Sequence, residues 1–151
     1  MHMVRLIYAS TVAKDFDPGE IEKIMKVARE RNSREKMTGV LFFTADHFVQ
    51  CLEGDSRAVN MLYNDMMRDP RHRDLVILSY GDIKEPMFAS WQMAYIGPGD
   101  ISNEILAAHT GAAVFNPYDI NEAMANAMLI LLVKHLEDER RRSFDAVKQH
   151  D

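Results

Sequence analysis

Before Gly97 the chain switches its hydrophobic period repeatedly, and the resulting order of strands and helices constrains the fold more than any motif does. Met3 to Ser10 alternates, with Val4, Leu6, Tyr8 and Ser10 on one side and Ile7 and Ala9 on the other, which predicts a half-buried strand. Asp17-Pro18-Gly19-Glu20 supplies an N-cap, a proline at the first helical position and an acid at the third, so a helix is expected to open there. Ile21, Ile24, Met25 and Ala28 continue it as an apolar stripe ending near Arg31-Asn32. Met37 to Phe43 and Phe48 to Glu53 are β-prone runs joined by Thr44-Ala45-Asp46-His47, a length that hairpins use. Gly54-Asp55-Ser56 ends the second run and caps a second helix, whose Val59, Leu62, Tyr63 and Met66 keep helical spacing up to Asp69-Pro70. Leu75 to Tyr80 and Ser90 to Ile96 predict two more strands, with Pro86 between them.

The order βαββαββ predicts an α+β, ferredoxin-like sheet with both helices on one face, because right-handed crossovers put them on the same side. The first and third strands are expected to be adjacent and parallel. The other face needs a cover, which the segment after Gly97-Pro98-Gly99 provides. Ser102 to His109 predicts a short helix, and Asp119-Ile120-Asn121-Glu122 a capping box that opens a long one. Ala123 to Val133 has one polar residue, Asn126, and falls short of the ~18–20 residues that a bilayer requires, so it is expected to be buried on several sides. Beyond it, Glu137 with Arg141 and Asp138 with Arg142 are spaced as i,i+4 pairs, and Arg140 to Arg142 suit a helix C-terminus.

Composition excludes several function classes. The chain has 151 residues, 47% of them hydrophobic, enough for one domain with a core. Lysine and arginine number 18 against 23 acids, a net charge of −5, which argues against generic nucleic-acid binding. Cys51 is the sole cysteine, and no secretory signal is apparent, so a cytoplasmic location is expected. Met1-His2-Met3 is expected to be an expression remnant outside the fold. The histidines at 2, 47, 72, 109, 135 and 150 lack zinc-site spacing, so no metal is expected. No phosphate-cradling glycine loop is evident, and no nucleophile–base pair supports an acyl- or phosphoryl-group hydrolase on this scaffold.

Polar residues stand where the pattern asks for core. Tyr8 shares the inward parity of Val4 and Leu6, and Gln50 that of Phe48 and Leu52, so the two are expected within hydrogen-bond reach beneath the helices. A buried glutamine needs partners, and Asn32 is a second amide at the end of the first helix. Together they suit the carbonyl and N–H edge of a flat heteroaromatic ring. Singly, each has a structural explanation: a satisfied core tyrosine, a helix C-cap at Asn32, core packing for Trp91 and Met93, and a solvated helix stop at Asp69-Pro70-Arg71-His72.

Five fragments in order make the conjunction specific: R-L-I-Y-A-S at Arg5 to Ser10, N-S-R-E-K-M-T-G-V-L at Asn32 to Leu41, F-V-Q-C-L-E-G at Phe48 to Gly54, D-P-R-H at Asp69 to His72, and S-W-Q-M at Ser90 to Met93. Over residues 4 to 97 the chain resembles the BLUF domains, sensors of blue light using flavin adenine dinucleotide. The resemblance implies a flavin held edge-in between the two helices, bonded by Asn32 and Gln50, with Tyr8 behind Gln50 and Ile24, Phe48 and Leu52 walling the ring. It places Asp69, Arg71 and His72 at the mouth near the dinucleotide tail, with Arg71 on phosphate. The chain departs from the family at Asp65, where a basic residue is common, which leaves Arg68 and Arg31 as replacements and FMN as an alternative to FAD.

The implied activity is photoreception without a covalent flavin bond and without enzymatic turnover. Tyr8 gives up an electron and a proton and recovers both, leaving Gln50 rotated or tautomerised and the absorption red-shifted. Trp91 and Met93 would carry the change to the fifth strand and the C-terminal helices. Residues 1–97 are then the sensor and 98–151 an output extension serving a downstream protein or a homo-oligomer. The competing readings are an RNA-binding module of the same topology, which lacks the basic surface, an enzyme on this scaffold, and a flavin-free ferredoxin-like protein-interaction domain.

Overall fold

A computed structural model describes residues 2–111 and 114–150. Met1 and the side chain of His150, both named above, lie outside the described residues. Nine elements follow in order: β1 (Met3–Val12), α1 (Ile21–Glu35), β2 (Thr38–Phe43), β3 (His47–Asp55), α2 (Ser56–Met67), β4 (His72–Asp82), β5 (Ala94–Ile96), α3 (Asn103–Thr110) and α4 (Glu122–His150). The strands form one sheet in the order β4-β1-β3-β2-β5.

Strand alternation sorts the side chains into two cores, as the periodicity predicts. Val4, Leu6 and Tyr8 join Phe48, Leu52 and the apolar stripes of α1 and α2 on one face. Ile7, Ala9, Val49 and Cys51 meet Leu106 of α3 and Ala125, Met128, Leu129 and Leu132 of α4 on the other.

The expected parallel pairing of β1 and β3 is wrong: they are antiparallel, with Tyr8 opposite Gln50. The crossover through α1 makes β1 run with β2, and the hairpin after Phe43 reverses the chain, so β3 runs against both neighbours. The fifth strand is shorter than expected. Only Ala94 to Ile96 pair with β2, in parallel. The preceding segment is held by other donors: Gly39 N–H to the Trp91 carbonyl at 3.2 Å, Asn32 Nδ2 to the Gln92 carbonyl at 2.6 Å, and Arg29 Nε to the Met93 carbonyl at 3.1 Å. Trp91 and Met93 therefore precede the strand rather than alternate along it. A Cβ at Gly39 would lie 2.0 Å from the Cys51 carbonyl oxygen, so no larger residue fits where β2 crosses β3.

Asp17 caps as expected, accepting from Gly19 N–H at 2.9 Å, but the turn it opens is 3₁₀ over Pro18–Glu20, and α1 begins at Ile21. α1 runs past its apolar stripe to Glu35, so Asn32 lies inside the helix and the C-cap is Lys36 in the left-handed region. The cap of α4 falls at Asn121, whose Oδ1 accepts from Met124 N–H at 2.9 Å, because Asp119 is taken up in the 3₁₀ turn Pro117–Asp119.

The α4 helix buries one stripe instead of several sides, since it covers a single sheet face and leaves Ile130 64% exposed. Its tail pairs Asp138 with Arg141 and His135 with Glu139 rather than in the two expected i,i+4 pairs. His2 and Met3 belong to the fold: the His2 carbonyl accepts from Ser56 N–H at 2.8 Å, and Met3 pairs with Asp55. No helix among the described residues is long and apolar enough to cross a membrane.

Candidate functional site

Adjacent strands bring Tyr8 and Gln50 together from register alone, and the Tyr8 hydroxyl donates to Gln50 Oε1 in the buried interior. On its other side Gln50 Nε2 meets, among the described residues, only Met93 Sδ, at 4.0 Å. A primary amide offers two donors and an acceptor with two lone pairs, so much of Gln50's capacity is unused by protein groups. It borders a cleft of about 160 Å³ between the sheet and α1, walled by Ile24, Met25, Ala28, Leu41, Phe48, Met66 and Met93. Polar groups enter this apolar slot at Tyr8, Gln50, Lys23, Arg31, Asp69, Arg71 and His72.

Burial pushes the Tyr8 phenol far above its ordinary value, and nearby Tyr63, edge-on at 5.4 Å, adds to the effect. Tyr8 thus stays protonated and donates its hydrogen bond to Gln50. Burial acts oppositely on Arg31, lowering its pKa, with Tyr8 and Asp65 opposing that shift. Arg31 Nε and Nη2 are buried without a partner, as is Asn32 Oδ1. Such unmet groups are costly in a folded protein unless a ligand meets them.

At the mouth, Arg71 donates from Nε and Nη2 to the Asp69 carboxylate, with Nε to Oδ1 at 2.9 Å. These bonds hold the Asp69 carboxyl below its ordinary value, burial working against them, and raise the Arg71 pKa. His72 is fixed on both ring nitrogens, Nε2 on the Met66 carbonyl at 2.6 Å and Nδ1 on Ser10 Oγ at 2.8 Å. A carbonyl only accepts, so Nε2 carries a proton, while Ser10 Oγ can serve Nδ1 as donor or acceptor.

The cleft thus gathers Tyr8, Ile24, Arg31, Phe48, Gln50, Asp69, Arg71, His72 and Met93 among the residues singled out from sequence. It leaves others out. Leu52, fully buried, packs in the core beyond the cleft wall, two residues along β3 from Gln50. Arg68 caps α2 at the surface, its side chain 82% exposed and 3.9 Å from Asp65. Asn32 turns its amide to Gln92. Trp91 borders a separate cavity with Arg29 and Leu136 and lies 4.6 Å beneath the Arg140 guanidinium. Met25, Ala28 and Leu41 were passed over as plain core, although helical stripe and strand parity place them on this face; Lys23 gave no signal.

An aromatic ring with carbonyl groups on one edge fits this site: the walls are apolar and under-bonded donors lie at Gln50 and Arg31 on the cleft wall. The family profile described as sensors of blue-light using FAD (BLUF) matches residues 3–94. The chain belongs to the BLUF family. It is 38% identical over 76 residues to the blue light- and temperature-regulated antirepressor BluF of Escherichia coli (strain K12), covering 50% of this chain and 19% of that protein. The chain spans less than a fifth of the length of the curated relatives it matches. Among solved BLUF-type structures, the photo-activated state of BlsA superposes with a TM-score of 0.80 at 29% identity, covering 87% of this chain and 94% of that one. The dark state of BlrB, a BLUF protein, gives 0.62 at 32% identity, covering 73% and 80%.

Proposed function

We propose that the cleft between α1 and the sheet holds a flavin non-covalently and that the Tyr8–Gln50 pair performs its reversible photochemistry. The observation that carries this reading is the Tyr8 hydroxyl bonded to a Gln50 amide whose remaining bonding capacity borders an apolar slot. Bound flavin supplies blue-light absorption and, once excited, a strong one-electron oxidant. Burial keeps the Tyr8 phenol protonated before excitation; a phenol that has lost an electron is a very strong acid, so its proton passes to its bonded acceptor, Gln50 Oε1. Return of both to Tyr8 leaves Gln50 rotated or tautomerised. Gln50 Nε2 then changes its contact with Met93 Sδ, the first step away from the cleft.

Arg31 is the cation we assign to the cofactor, since its Nε and Nη2 are buried without a partner and the residue lies on the cleft wall. FAD is the cofactor proposed. FMN is the second reading, favoured by the engagement of Arg71 with Asp69 and by the outward turn of Arg68, which leave few free cations for a second phosphate. Residues 1–97 act as the sensor and 98–151 as the output. The route runs from Met93 through the 91–93 segment, whose Trp91 carries Arg140, into α4. Ile130 and Phe144, exposed on that helix, provide apolar surface for a second copy or a downstream protein. That the Escherichia coli relative is an antirepressor supports an output by protein contact rather than by catalysis.

Absorption spectra of the FAD-loaded protein before and after blue illumination test the reading. A reversible red shift is expected, and Tyr8→Phe is expected to bind flavin while losing the shift. Protein that stays colourless in excess flavin would leave the flavin-free interaction domain as the account of the fold; a full shift in Tyr8→Phe would remove Tyr8 from its role.

A further inference from the structure

On the face of the molecule opposite the cleft, the turn that leaves β5 meets the middle of α4. Asp100, His135 and Glu139 converge there, each offering a ligand atom, all within 4.8 Å of one another. Histidine spacing in the sequence points away from a metal, because 35 residues separate the aspartate from the histidine. We infer that these three side chains bind one divalent transition-metal ion, Zn²⁺ by ligand chemistry, and that the ion fastens α4 to the turn after β5. This inference is independent of the flavin reading.

The ligand set is one nitrogen and two carboxylate oxygens, which suits zinc better than magnesium, whose preference is for oxygen and retained water. Zinc bonds of about 2.0–2.1 Å in tetrahedral geometry hold ligand atoms about 3.3 Å apart. His135 Nε2 and Glu139 Oε1, one turn from each other on the same helix face, stand 3.0 Å apart in a hydrogen bond whose proton the ion would displace. The His135 side chain is 15% exposed and so largely fixed by packing. Asp100 arrives from the other element with its carboxylate oriented by Gly97 N–H, 2.7 Å from Oδ2, the kind of supporting bond that sets a metal ligand's direction. Solvent completes the fourth position, since Asp100 lies at the surface.

The test uses the full chain, free of any histidine tag, with zinc chloride as the probe in calorimetry and thermal denaturation, run with and without flavin. One ion per chain and a raised Tm are expected, with no comparable shift from magnesium chloride. Asp100→Asn and Glu139→Gln remove ligands at accessible positions, and each is expected to weaken zinc binding by about tenfold or more. No saturable binding at about 100 μM zinc, or undiminished affinity in either variant, overturns the site. Because the colourless protein is expected to respond equally, failure of this site and failure of the flavin reading give separate results.

Discussion

Gln50 and Glu53 stand three residues apart on β3 and face opposite sides of the sheet, both buried and both polar. Glu53 accepts five hydrogen bonds: from Arg5 Nε at 3.0 Å and Nη2 at 2.8 Å, Thr38 Oγ1 at 3.1 Å, Met87 N–H at 2.6 Å and Phe88 N–H at 2.8 Å. Its lone pairs are used up. Gln50 has the Tyr8 bond and a sulfur contact. Burial of a polar group therefore says little about function in this molecule, whereas unmet bonding capacity beside a cleft says a great deal. Glu53 fastens the segment between β4 and β5 to the sheet, and Gln50 is left to be completed by a ligand.

The contrast breaks first, if it breaks, at Glu53. Glu53→Ala leaves the Arg5 guanidinium and two backbone N–H groups without their acceptor, and the expected loss is about 3–5 kcal/mol in urea unfolding at neutral pH. Gln50→Leu is the sharper companion. It removes an under-bonded amide in favour of an apolar side chain of similar size; the Tyr8 hydroxyl loses its acceptor, but the slot gains apolar contact. The flavin-free variant is expected to lie within about 1 kcal/mol of the parent, while its flavin-loaded form shows no light-induced shift. A Gln50→Leu protein destabilised as severely as Glu53→Ala would make both groups structural and end the distinction.

How much of this was legible in the sequence depends on the distance over which each feature is determined. Parity is local, so the two faces of β1 and β3 follow from alternation, while register, which alternation leaves open, sets Tyr8 opposite Gln50 and not another inward residue. Parity holds for either strand direction, so both side chains share the cleft face although the expected parallel pairing is wrong. What escaped is set by tertiary contact. The Glu53 network draws on Arg5, Thr38 and the loop at Met87, none of which marks itself in a linear pattern. Trp91 and Met93 sit in a run with strand-like composition, but Asn32, Arg29 and Gly39 occupy its carbonyls and keep it out of the ladder. Arg68 and Arg71 are close in sequence, yet one faces water and the other is tied to Asp69.

Asp69 extends the comparison to a third buried-to-exposed grade, and its effect is the smallest. Like Glu53 it is a carboxylate with its bonds met, chiefly by Arg71, and these bonds hold its pKa below the ordinary value of about 3.9. The folded state therefore favours the charged form. The pair's contribution is complete above the unfolded pKa and is lost as pH falls through the lower, folded one. Unlike Glu53, the pair reaches solvent at Arg71, which limits its worth to about 0–1 kcal/mol. The stability gap between the parent and Asp69→Asn, measured by urea unfolding, is expected to be present at pH 6 and to shrink as acid protonates Asp69, while carboxylates common to both proteins cancel. A gap that does not change down to about pH 2.5 would mean that the charge on Asp69 contributes nothing and that the two side chains differ only in how they pack at the turn before β4.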